Sequence, residues 1–161
     1  MRTAVATMTA AVVVAPERTE LHELPVPEPE PCEALVRIEG CGVCTSNLPL
    51  WEGRPWFSYP LEPGAPGHEG WGIVEAVGDE VHELEPGRRV TLLSYHAFAE
   101  YDVAPAAYCV PIEEPLPGEP LACALSVLRR AGVRAGERVA VVGVGFLGSL
   151  VAQLCARWGR R

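Results

Sequence analysis

Sixteen prolines in 161 residues, most of them set between short runs of apolar and polar residues, constrain this chain more than any other feature. Proline fixes φ and donates no amide hydrogen bond, so the segments 25–31 and 55–66 are expected as turns and extended loops. The runs between the prolines have strand character. Residues 11–15 are a short β-branched run that leads into the alternating stretch 19–24. Residues 33–39 (EALVRIE) alternate apolar and charged side chains, the pattern of a half-buried strand. Residues 71–77, 89–93 and 108–112 are three further strand candidates. Many short strands with this punctuation point to a barrel or sandwich.

The pattern changes near residue 119. Residues 120–131 (PLACALSVLRRA) place apolar side chains at 121, 124, 125 and 128, a helical period, with Pro120 suited to the first turn and Gly132 to the position after the last. The run 138–142 (RVAVV) has no alternation, as in a strand buried on both faces. Gly143, Gly145 and Gly148 then match G-x-G-x-x-G, and 149–158 is helical again. Strand, glycine turn and helix in that order give the motif meaning: glycines let backbone amides and a helix N-terminus meet a pyrophosphate. The plainer alternative is a tight turn with no ligand. A side chain that chooses between NAD and NADP belongs ~20 residues further on, past residue 161.

A second constellation has the chemistry of a metal site. Cys44 follows a strand within Cys41-Gly-Val-Cys44-Thr-Ser46-Asn47, and His68 lies in Gly-His68-Glu69-Gly-Trp-Gly. Thiolate and imidazole are the donors that Zn²⁺ prefers, and a catalytic zinc needs only three protein ligands. Alone, His68 reads as a loop histidine bonded to backbone. Flanked by glycines and beside Glu69, it needs close backbone approach on both sides. Cys41 and Cys44 form a single C-x-x-C. No second pair is present for a structural zinc, and the sequel Thr-Ser-Asn-Leu-Pro is a poor helix opening, which argues against a redox motif.

Composition narrows the function classes. With 48% hydrophobic residues the chain can bury a core, and a net charge of −8 without a Lys/Arg cluster argues against nucleic acid or an anionic membrane surface. The arginines at 157, 160 and 161 read as the C-terminal end of a helix complementing its own dipole. The six cysteines lack the dense spacing of a secreted disulfide scaffold, so a cytoplasmic location is expected. The apolar stretch after Arg2 faintly resembles a signal peptide, but threonines interrupt it and it runs on as a strand pattern. Nothing approaches a membrane span.

Taken in order, CGVCTSNL, GHEGWGIVEAVGDEV, PGRRV, FAEY and EPLACALSVLRRAGVRAGERVAVVGVGFLG resemble the zinc-containing medium-chain alcohol and polyol dehydrogenases from about residue 10 to the end. The resemblance implies a mainly β fold with some α. A GroES-like, partly open β-barrel catalytic domain would span 10–118. The connecting helix and truncated start of a Rossmann domain, its first strand, turn and helix, would span 119–161. It implies one catalytic Zn²⁺ and a dinucleotide, NAD or NADP. Cys44 and His68 correspond to the first two zinc ligands, and Glu119 to the third in the polyol-dehydrogenase branch, with Cys123 as its rival. Glu69 resembles an acidic neighbour that sits beside or enters the zinc shell, and Ser46 the hydroxyl that relays the alcohol proton. Cys41 is expected not to be a ligand.

Three departures qualify the resemblance. Asn47 stands where the family usually has an aspartate, whose carboxylate accepts the second N–H of the zinc histidine; an asparagine oxygen can accept the same bond without the charge. The four-cysteine structural-zinc lobe is absent, and 93–99 (LSYHAFA) runs straight through its place, so no second zinc is expected. Most of the Rossmann domain is missing, and one strand with one helix cannot form a dinucleotide-binding sheet. Trp51, Trp56, Phe57 and Tyr59 either wall a substrate pocket or pack the loop. The implied activity is hydride transfer between an alcohol, polyol or carbonyl compound and NAD(P), with homo-oligomerisation left open and this chain inactive by itself. The rival reading is a non-catalytic GroES-like module. A zinc-free quinone or enoyl reductase is disfavoured because those lack the Cys and G-H-E pair.

Overall fold

The computed structural model describes residues 6–158. The chain divides into two compact units, the first ending at Gly118 and the second beginning at Glu119.

The first unit is antiparallel β. Strand β1 (Thr7–Ala15) pairs with β2 (Arg18–Pro25) in a two-stranded hairpin. Five further strands form one sheet: β3 (Glu33–Gly42), β4 (Glu69–Val77), β5 (Arg89–Leu92), β6 (Tyr101–Pro105) and β7 (Cys109–Pro111), in the order β6-β3-β4-β5-β7. Between β3 and β4, a 3-10 turn at Thr45–Asn47 runs into the single helical turn α1 (Leu48–Trp51). That turn corrects the sequence reading of this stretch as a poor helix opening. Pro49 stands in the first turn, where an amide hydrogen has no intrahelical acceptor, so proline is tolerated there.

Alternation explains the core. Ala34, Val36, Val74, Val90, Leu92, Ala104 and Cys109 point inward with Leu84, and all are at least nine-tenths buried. Strand β6 has no counterpart in the sequence reading. Its inward positions are Asp102 and Ala104, so the polar residue sits on the buried side and conceals the alternation. The observed strand at 109–111 is shorter than the expected 108–112, because 106–108 form a 3-10 turn. Of the stretch from Arg2 to Ala15 weighed as a signal peptide, residues 2–5 lie outside the described residues, and β1 contributes Ala10, Val12 and Val13 to the buried set.

The crossing 93–99 ties the hairpin to the sheet. The Ala11 N–H donates to Phe98 O at 2.9 Å and the Glu100 N–H to Thr9 O at 3.0 Å. The same crossing lies along 64–68: the Ala97 N–H donates to Gly67 O and the Phe98 N–H to Gly64 O, each at 3.0 Å.

The second unit holds α2 (Gly118–Ala131) and α3 (Phe146–Trp158). Gly132, at φ +63°, occupies the left-handed position after α2. The expected strand at 138–142 is not formed. A strand needs a neighbouring ladder, and no described strand pairs with this segment. Val142 is 99% exposed, and Val139, Val144, Phe146 and Leu147 are exposed with it. Helix α3 starts at Phe146, three residues earlier than expected, so Gly148 lies in its first turn. Gly143 has φ +89°, and a Cβ on Gly148 would lie 2.0 Å from Gly143 O, so both positions require glycine. Of the arginines at the chain end, 160 and 161 lie outside the described residues. No helix among the described residues is long and apolar enough to cross a membrane.

Candidate metal centre

The register of β3 and β4 builds the site. Cys41 faces Gly70 and Gly42 faces Glu69, so the exit from β3 toward Cys44 runs beside the entry to β4 from His68. Glycine at the crossing point leaves room for the Glu69 side chain. A Cβ on Gly42 would lie 2.0 Å from Glu69 Oε2 and 3.1 Å from Glu69 Cβ, which means that the carboxylate occupies the space a side chain would fill. Thr91 fixes the start of β4 from the other side, its Oγ1 donating to Gly70 O at 3.0 Å.

Cys44, His68 and Glu69 each bring one ligand atom to within 4.8 Å of the others. Among the described residues this is the group of three His, Cys, Asp or Glu side chains whose geometry suits a metal ion. One sulfur, one imidazole nitrogen and one carboxylate oxygen form a donor set that Zn²⁺ accepts, at metal–ligand distances of ~2.0–2.3 Å that a 4.8 Å cluster can satisfy. Glu69 is 7% exposed and Cys44 is half-buried, so water reaches the group from one side.

His68 is pre-oriented. Its Nδ1 lies 2.9 Å from Pro66 O. A carbonyl only accepts, so Nδ1 carries the proton and Nε2 presents its lone pair. Ser46 Oγ lies 3.4 Å from that Nε2, and the Tyr95 ring stacks on the imidazole with centroids 5.6 Å apart and planes inclined by 29°.

This geometry changes the part expected of Asn47. The Pro66 carbonyl, not the asparagine oxygen, takes the second N–H of His68. Asn47 is 8% exposed, and both its Oδ1 and its Nδ2 lack a hydrogen-bond partner. A backbone acceptor two residues away is already in place, and the sequence motif gives no sign of it. Burial pushes the Cys41 thiol up to about 11, and its Sγ–H faces Gly42 O at 3.4 Å. Cys41 therefore stays a neutral thiol, a weak metal donor.

Glu119 belongs to the second unit. Its Oε1 accepts the Cys123 Sγ–H at 2.9 Å, one turn further along α2, so the two rivals for a third ligand bond to each other. The aromatics of 51–59 divide in their roles. Trp56 is 71% exposed with its ring 6.0 Å from Phe57, whereas the Tyr59 hydroxyl donates to Leu50 O and packs the loop.

Residues 30–114 match the alcohol dehydrogenase GroES-like domain, more than half of the chain. The chain belongs to this family. Human sorbitol dehydrogenase is 32% identical over 182 aligned positions, which cover 91% of this chain and 51% of that protein. An alcohol dehydrogenase of Geobacillus stearothermophilus is 33% identical, covering 87% of this chain and 52% of the relative. The cobalt- and zinc-bound thermostable alcohol dehydrogenase of Pyrobaculum aerophilum superposes with a TM-score of 0.84 at 25% identity, covering 96% of this chain and 58% of that one. This GroES-like chain thus spans about half the length of the curated relatives it matches. Its first unit contains the whole matched domain and the Cys44, His68, Glu69 cluster.

Proposed function

We propose that this chain carries the metal half of a zinc-dependent oxidoreductase of alcohol or polyol dehydrogenase type, which exchanges hydride between a small alcohol, polyol or carbonyl compound and NAD or NADP. The observation that carries the proposal is the approach of Cys44, His68 and Glu69 to within 4.8 Å of one another. These three residues would hold Zn²⁺, which when bound supplies Lewis acidity at the substrate oxygen.

The chain's own groups prepare that chemistry. The Pro66 carbonyl fixes the His68 tautomer, so the imidazole offers Nε2 without a rearrangement. The Glu69 carboxylate is held in the space over Gly42. Ser46 places a rotatable hydroxyl beside Nε2, at the exposed edge of the cluster, where it passes the alcohol proton toward water. In this reading Glu69 is the third donor, and Glu119 is retained as the alternative that the family resemblance implies. We assign the dinucleotide pyrophosphate to the turn Gly143, Gly145 and Gly148 at the start of α3, since a helix N-terminus with free backbone amides favours an anion.

A second reading, a metal-binding module without turnover, has its own support. Residues 138–142 pair with no described strand, and nicotinamide positioning relies on a formed sheet. Zinc-loaded chain assayed spectrophotometrically with NAD and NADP against alcohols and polyols decides between them. Turnover above a Cys44→Ser control supports the enzyme, and tight zinc binding with no turnover supports the module.

A further inference from the structure

Asp102 is a charged residue in the wrong place for a strand of this sheet. It is 4% exposed and faces the core of β6, and its Oδ1 accepts the Val103 N–H at 2.8 Å. Its Oδ2 is buried without a partner, and so is the hydroxyl of Ser94. Burying a carboxyl that incompletely bonded costs about 1–3 kcal/mol or more, and such a group in a folded domain calls for a reason.

The surroundings supply one. The Ser94 hydroxyl and the backbone N–H of His96 both face the Asp102 carboxyl and draw its pKa down, against a larger upward push from burial. Ser94 and His96 flank Tyr95, whose ring covers His68. His96 is further fixed by Glu62, Nε2 to Oε2 at 2.9 Å, and the next residue, Ala97, is bonded to Gly67 O at 3.0 Å. The carboxyl of Asp102 therefore lies beside the crossing at the residues before and after the ring that stacks on a proposed metal ligand, with no formed hydrogen bond to either.

We propose that Asp102 is a positioning residue: its buried carboxyl holds 94–96 so that Tyr95 stays stacked on His68 and fixes the plane of the ligand ring. The inference rests on His68 being a metal ligand. Pro66 O in its plane and Tyr95 on its face then fix the orientation of the imidazole. Ser94 Oγ and Asp102 Oδ2, each unpartnered, complete one another through a small rotation or a single bound water. Direct hydrogen-bond partners of a metal ligand carry about 10–100-fold in metal affinity, and a residue acting through a ring contact is placed at the lower end of that range.

The test is proton NMR of the zinc-free chain, whose four histidines give few Hε1 signals to assign. In the parent, the Tyr95 ring current shifts His68 Hε1 upfield. Asp102→Asn keeps the volume and the Val103 bond but loses the second acceptor. It is expected to remove that shift and to weaken zinc binding about tenfold. Ser94→Ala should move both readouts the same way to a lesser extent, and it serves in place of Asp102→Asn if that variant does not fold. Tyr95→Phe should behave as the parent, and Tyr95→Ala as Asp102→Asn. A folded Asp102→Asn, or Ser94→Ala in its absence, with parental Hε1 shift and parental zinc affinity overturns the proposal. A parent that binds no zinc but shows the Asp102-dependent shift would refute the metal site and leave the positioning intact.

Discussion

Gly42 and Glu69 share one volume: the carboxylate of Glu69 stands where a Cβ of residue 42 would be, 2.0 Å from it. The cross-strand pair at the mouth of β3 and β4 is thus a small residue that admits a charged one. Gly42→Ala is expected to push Glu69 out of the cluster and weaken zinc binding by about tenfold or more, with little change in fold. Competition against a chromophoric chelator measures it. Glu119→Gln is expected to bind zinc as the parent does, and a comparable loss there would put Glu119 in the shell instead of Glu69.

The two cysteines of C-x-x-C are expected to behave oppositely. Cys44→Ser and His68→Ala should lower bound zinc from one per chain to well below one. Cys41→Ser should leave it unchanged, because the Cys41 thiol is held neutral, up to about 11, by burial. Elemental analysis after dialysis reads all three. Loss of zinc from the Cys41 variant alone would point to a C-x-x-C site.

Much of this was legible in the sequence, and the parts that were not have identifiable causes. Apolar runs and partial alternation gave the strands that lead into Cys44 and away from His68 and Glu69, where Ala34, Val36 and Val74 face the core. It failed at β6, where a charged residue, Asp102, takes an inward position. It also failed at 138–142, where apolar composition suggests a buried strand but no described strand pairs with the segment. Residue identity singled out Cys44, His68 and Glu119 as ligands with Ser46, Asn47 and Glu69 beside them, and the structure brings Cys44, His68 and Glu69 within 4.8 Å of one another. It could not reveal that a backbone carbonyl, Pro66 O, would take the hydrogen bond assigned to Asn47, since backbone acceptors leave no mark on a side-chain motif. Tyr95 was read only as part of a lobe-less crossing, and its place over His68 follows from contacts between segments far apart in the chain.

Alkaline stability should report Cys109. Burial pushes this thiol up to about 11 from an ordinary value near 9. The folded state therefore keeps a proton that the unfolded chain gives up. The resulting stability is fully present below pH 9 and declines as pH rises toward 11. The loss is on the order of 3 kcal/mol for one thiol, by the linkage between pKa shift and stability. Cys109→Val, similar in volume and without a proton to lose, should flatten the decline in urea-unfolding free energy between those pH values.

The second unit leaves Val142 99%, Val144 72% and Phe146 62% exposed, a contiguous apolar stretch around the glycine turn. Such a patch drives association. Light scattering should show concentration-dependent oligomers that diminish in a Val142→Lys, Val144→Ser double variant. Zinc binding should remain, since Cys44, His68 and Glu69 all belong to the first unit.

X-ray absorption at the zinc edge of the zinc-loaded chain tests the central claim most directly. With Cys44, His68 and Glu69 as the donors, the spectrum should fit a single sulfur at ~2.3 Å with the remaining nitrogen and oxygen donors at ~2.0–2.2 Å, at one zinc per chain. Two or more sulfurs in the shell, or no zinc retained by a folded chain, would contradict the site described.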